Sequence, residues 1–234
     1  MIPVRCTMEK PSYSWVREML AIMNKDLRSE LRTKYAINAI VMFAVITLAA
    51  ISFTVGAFAL APQFQAALLW IVLFFSASSG LPRVFIKEEE SKTVNALKLS
   101  SSPLGVFLGK LMFNLILLLI LASIIVPLFI ALMGVNIKGL ALFVLIVVLG
   151  LLGLSGASTI VAAIVAKAAT KGTLFAVLAF PILLPLLITT ISATDYAMGG
   201  GTITGGFSHI QILVSYIGIM LTISILLFEF VWQE

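Results

Sequence analysis

The chain has 234 residues, 61% hydrophobic and 11% charged, with a formal net charge of +5, and its mean hydropathy is +1.17. Charged residues make up about a quarter of an ordinary soluble domain, so this composition excludes one and suits a single integral membrane domain. The excess of base follows a membrane topology and is therefore no nucleic-acid signal, and the lone Cys6 excludes a disulfide framework and a cysteine-based metal site.

Residues 1–35 form a charged N-terminal segment in which 12–34 reads as an amphipathic interfacial helix. Trp15, Met19, Ile22 and Met23 share one side at helical spacing, and Arg17, Lys25, Arg28 and Arg32 fall on another. Asp26 and Glu30 break this pattern, because they continue the angle of the apolar stripe. Either the helix rotates or ends there, with Glu30 pairing to Lys34, or these acids face basic groups of the 83–98 loop or of a partner protein.

Residues 36–234 then read as a six-helix transmembrane domain, each span needing about 20 apolar residues. The runs are 36–60, 65–84, 104–134, 139–166, 173–193 and 209–231. The first is too long, and too far behind its charged leader, for a cleavable signal peptide. It ends at Ala61–Pro62, and a very short outer turn leads to Trp70 near the outer interface. The stretch RVFIKEEESKTVNALKLSSSPLGVFLGK is the most polar internal segment. Glu88, Glu89 and Glu90 are expected near the start of a short helix over 88–99, where they favour its dipole. Val94 and Leu97 give that helix a small apolar face, and Ser100 to Pro103 breaks it. The segment is either a solvated loop or a docking element.

The third span contains Pro127. The fourth carries GLLGLSGAST, whose small residues let neighbouring helices approach. The fifth has Pro181 and Pro185 on one face, each deleting a backbone hydrogen bond, which predicts a bend that serves packing or a hinge. ATDYAMGGGTITGGFSH is the longest outer connection, and its glycines suggest a mobile or re-entrant loop. The sixth span ends in LFEFVWQE, with Trp232 at the inner interface.

Basic residues set the orientation. Arg5, Lys10, Arg17, Lys25, Arg28, Arg32 and Lys34 precede the first span, and Arg83, Lys87, Lys92, Lys98 and Lys110 surround the second connection. Lys167 and Lys171 lie in the fourth, and Lys138 alone lies on the other side. This asymmetry predicts both termini in the cytoplasm, with part of the basic charge meeting anionic headgroups of the inner leaflet.

Charged groups near the middle of a span cost about 2.5–3.5 kcal/mol each and mark function. None is found mid-span, which argues against a proton-driven carrier. There is no HExxH and no P-loop, so ATP would have to bind elsewhere. His209, the only histidine, lies at the outer mouth of the sixth span and reads as a polar anchor ahead of a haem or metal ligand. The methionines read as packing or lipid-facing residues. No catalytic, cofactor-binding or metal-binding residue is assigned.

KDLRSELRTKYAINAIVMF resembles the N-terminal signature of the haem exporter protein B family, the permease subunits of the ABC transporter of cytochrome c maturation. LWIVLFFSASSGLPRVFIKEEESKTVNALKLSSSPLGVFLGK resembles that family's second span and following loop. AKAATKGTLFAVLAFPILLPLLI resembles its fifth span with paired prolines, and LFEFVW its C-terminus. The resemblance implies an all-α ABC-2-like permease fold whose interfacial helix and second-loop helix contact a separate ATPase. Carried over by position, Asp26, Leu27, Glu30 and Arg32 match the first signature, and Phe85, Glu88, Glu90, Leu97, Pro103 and Lys110 the second. Pro181 and Pro185 match the third. Asp26, Glu30, Arg32, Phe85, Glu88, Glu90, Val94 and Leu97 are thus the expected ATPase-docking residues, and Pro181 and Pro185 the expected hinge.

The chain is then expected to be a non-catalytic permease subunit of a prokaryotic inner membrane. Its partners would be an ABC ATPase, haem-handling membrane subunits, an outer haem chaperone and membrane lipids. Haem would be cargo of the complex, not a cofactor of this chain. Two rivals remain: an ABC-2 permease for a lipid, drug or polysaccharide, and a non-transporting membrane scaffold.

Overall fold

The computed structural model describes residues 14–55, 60–166 and 171–233. Arg5, Cys6, Lys10 and Lys167 lie outside them. The described residues form helices α1 (Ser14–Thr33), α2 (Tyr35–Val55), α3 (Pro62–Gly80), α4 (Arg83–Glu90) and α5 (Val94–Ser100). There follow α6 (Pro103–Met133), α7 (Leu140–Ala166), α8 (Lys171–Met198) and α9 (Phe207–Gln233). No strand occurs among the described residues.

Six of these helical stretches are long and apolar enough to cross a bilayer: α2, α3 continuing through α4, α6, α7, α8 and α9. The protein is therefore an all-α integral membrane protein. The spans lie where the apolar runs predict, because bilayer thickness sets the length of run that has to be helical.

Helix α7 is central. Trp70 of α3, Leu186 of α8 and Leu221 of α9 fill the space beside its Gly150, Gly153 and Gly156. Gly150 is the tightest: a Cβ there would lie 2.1 Å from the Trp70 ring. Trp70 is thus packed inside the protein, 1% exposed. Its Nε1–H donates to Thr194 Oγ1 of α8 at 2.9 Å, which satisfies the one polar atom of its ring.

The end of the bundle that carries α1, α4 and α5 holds most of the described basic residues and is called the basic end. At the opposite end α8 continues to Met198, so only 199–206 connects it to α9. That connection folds back on α8, with Gly201 N–H donating to Tyr196 O at 3.0 Å, and the α6–α7 connection is tied to the same helix end, with Gly139 N–H donating to Ala197 O at 3.0 Å. Gly200 takes φ +99°, open to glycine. Of the segment expected to form a mobile or re-entrant loop, α8 takes up ATDYAM and α9 takes up FSH, which leaves a short hydrogen-bonded turn. Pro127 lies within α6, and Pro181 and Pro185 within α8 without ending it.

Candidate functional site

The segment after α3 is two short helices, not one. Helix α4 ends at Glu90, Lys92 turns the chain at φ 55°, and α5 starts at Val94. This corrects the expected helix over 88–99. Glu88, Glu89 and Glu90 close α4 instead of opening a helix, so they sit where its dipole disfavours acids. The positive groups around Glu88 supply the compensation.

Those groups come from two other helices. Lys110, about two turns into α6, is fully buried. Its Nζ donates to Asp26 Oδ2 of α1 at 3.2 Å, to the Val84 carbonyl of α4 at 3.0 Å and to Glu88 Oε1 at 3.4 Å. Three acceptors meet its three N–H bonds, and the Phe85 ring lies 5.1 Å below. Lys25 of α1 also pairs with Glu88, and lies 3.3 Å from Asp26. Thr93 donates to the second Glu88 oxygen. Two lysines and two carboxylates therefore make a neutral cluster joining α1, α4 and α6. Partial burial pulls the Lys25 ammonium down, but its hydrogen bond to Glu88 and the charges of Asp26 and Glu88 outweigh this and hold its pKa above the ordinary lysine value.

Helix α1 reaches this cluster by lying along α6. Ser102 N–H donates to Glu18 Oε2 at 2.8 Å, and the Ser102 hydroxyl caps α6 by accepting from Gly105 N–H at 3.2 Å. Next along both helices Ile22 and Met19 sit against Gly109, where a Cβ would meet them at 3.0 Å. Then Asp26 meets Lys110, and Met23 and Leu27 pack on Phe113 and Leu117. The contacts advance in one sense, so α1 runs parallel to the first half of α6. The helix neither rotates nor ends at Asp26. It stops at Thr33, where Lys34 takes φ 52°, and Glu30 accepts from Ile37 N–H at 3.1 Å across that turn.

Beyond the cluster lies an aromatic layer. Phe228 of α9 sits 5.8 Å from Phe85 and 5.2 Å from Phe107, and Trp232 stacks on it at 5.4 Å. Lys98 of α5 lies 5.7 Å over Trp232. Trp232 is 8% exposed, so this ring is also packed against protein.

The expected docking residues divide accordingly. Asp26, Phe85 and Glu88 converge on Lys110. Glu30 is also buried and accepts from Ile37 N–H. Leu97 is buried in the core with Val94 packed against it, because α5 turns its Val94–Leu97 side toward the bundle. The apolar residue that α5 presents outward is Leu99, 90% exposed. Arg32 and Glu90 are exposed and outside the cluster, and Pro181 and Pro185 lie exposed on α8.

Sequence reasoning placed Lys110 among the loop bases and in the second family signature, and Lys25 on the basic face of α1, without making either a site residue, and passed over Glu18 and Thr93. The signal was a lysine set within the apolar run of a span beside Gly109, which requires an internal partner. At the opposite end His209 lies 5.9 Å from the Tyr196 ring. No cluster of three or more His, Cys, Asp or Glu able to hold a metal occurs among the described residues.

A family model described as CcmB protein matches residues 17–230. No curated protein matches it.

Proposed function

The chain belongs to the CcmB, or haem exporter protein B, family, and from that premise we propose that it is the permease subunit through which a separate ABC ATPase drives haem delivery in cytochrome c maturation. Membership makes it a membrane component of that exporter. The observation that supports the finer reading is the Asp26–Lys110–Glu88 cluster. It ties α1 and the short helix α4 at the basic end to the longest span, α6.

In this reading the basic end faces the cytoplasm of a prokaryotic inner membrane and both termini lie there. The ATPase docks beneath α4 and α5. Closing on ATP, it displaces these helices, and the displacement reaches α6 through Glu88 and Lys110 and reaches α1 through Asp26 and Lys25. Such a partner shifts the subunit only by binding its two states unequally. The spans then repack around α7 and alter the outer face, where haem-handling subunits and an outer haem chaperone engage. The work is haem transfer or release of that chaperone. Haem is carried by the assembly, and this chain performs no catalysis of its own.

The test is complementation of a deletion strain, with covalently bound haem in c-type cytochromes as readout. Wild type restores it, and restoration is lost when the partner's ATP hydrolysis is disabled although the assembly still forms. Restoration without hydrolysis would leave a scaffold in place of a transporter subunit.

A further inference from the structure

We propose that the outward face of α1 is a binding site for anionic phospholipid headgroups. Helix α1 sorts its charges in an unusual way. All three of its acids, Glu18, Asp26 and Glu30, turn toward the protein and are hydrogen-bonded there. The face left outside carries Arg17, Leu20, Ala21, Asn24, Arg28, Leu31 and Arg32, all exposed.

That face has three guanidinium groups and no carboxylate. Leu20 and Leu31 are interleaved with them, 48% and 51% exposed. No ion pair reaches Arg17, Arg28 or Arg32 among the described residues. Arginine binds phosphate oxygens in pairs while its methylene stem lies along apolar neighbours, so alternating Arg and Leu suits phosphate groups that carry apolar chains beside them.

Placement favours lipid over an acidic protein. Because α1 runs parallel to α6, its free face looks sideways out of the bundle. Only Lys34 separates it from α2, a span that exposes Met42, Phe43 and Ile46. An ATPase beneath the bundle approaches along the axis, toward α4 and α5. In the orientation proposed for the subunit, the leaflet engaged is the cytoplasmic one.

The test uses the purified full chain in detergent micelles with equal phosphatidylglycerol and phosphatidylcholine, and retained lipid is counted by native mass spectrometry. Wild type keeps phosphatidylglycerol in preference, and high salt weakens that preference. Each arginine near an anionic surface is worth on the order of five-fold, so Arg17→Gln with Arg28→Gln and Arg32→Gln reduces it on the order of a hundred-fold. The matching Arg→Lys triple retains most of it. Millimolar inorganic phosphate does not compete, which separates a lipid from a free anion.

Equal retention of both lipids by wild type overturns the proposal, as does competition by phosphate. So does an unchanged preference in the Gln triple accompanied by loss of the ATPase, which would give the face to a protein. If the Gln triple does not accumulate, the wild-type preference and its salt dependence decide. Micelles have no sidedness, so a wrong orientation leaves this outcome unaffected.

Discussion

Lys110 Nζ lies 3.2 Å from Asp26 Oδ2, so a fully buried charge inside a span holds a helix that is not itself a span. The same ammonium reaches Glu88, and one side chain thereby links three helices. Removing a partner from a buried ion cluster costs about 3–5 kcal/mol, because the remaining charge is left unpaired. Lys110→Met is therefore expected to lower stability by ~3 kcal/mol, the low end, since Lys25 still neutralises part of the carboxylate charge. Lys25→Met should cost under about 1 kcal/mol, because that lysine is half exposed. Thermal denaturation of the purified chain compares the two, and equal losses would mean the buried lysine has no special share.

Trp70 and Gly150 form a second coupled pair. A Cβ at Gly150 would sit 2.1 Å from the far edge of the indole, so Gly150→Ala should destabilise by about 1–3 kcal/mol through overpacking. Trp70→Phe removes that edge and also the bond to Thr194, costing ~1–2 kcal/mol alone. Combined, the two changes should cost less than their sum. Gly218, with open space around it, serves as control: Gly218→Ala should be neutral or stabilise by up to ~1 kcal/mol.

Docking can be separated from folding on α5. Leu99 is exposed and Leu97 is not. Leu99→Asp is expected to leave accumulation of the subunit unchanged, within ~0.5 kcal/mol, while the ATPase fails to co-purify. Leu97→Asp buries a carboxylate and should reduce the subunit itself. Full retention of the ATPase by the Leu99 variant would place the docking surface elsewhere.

Orientation is read by thiol labelling in a Cys6→Ser background. Thr202 and Ser91 are both exposed, at opposite ends. A cysteine at Thr202 should react with an impermeant reagent in intact cells, and one at Ser91 only after the membrane is opened. Thr194, fully buried against Trp70, is unsuited to this purpose. The reverse pattern would invert the orientation and with it the proposed approach of the ATPase.

His209→Ala should leave complementation intact, and haem added to the purified chain should stay substoichiometric in wild type and variant alike. The ring contact to Tyr196 describes a packed side chain. A stoichiometric absorbance band lost in the variant would instead make His209 a ligand.

The sequence alone determined where the spans lie and which end is basic. Both follow from one-dimensional quantities: a bilayer imposes a minimum apolar length, and Lys and Arg are distributed by topology. It also carried a clue to the site, since Asp26 and Glu30 lie on the apolar side of α1, the side that faces α6. What it could not supply was their partner. Whether Glu88 meets water, an ATPase or Lys110 depends on the rotation of α4 against α6, and that is set by packing of residues far apart in the chain. The same holds for Trp70 and Trp232, whose amphipathic rings suit lipid or protein neighbours equally well. Only the approach of Gly150 and Thr194 to the one, and of Phe228 and Lys98 to the other, gave them protein neighbours.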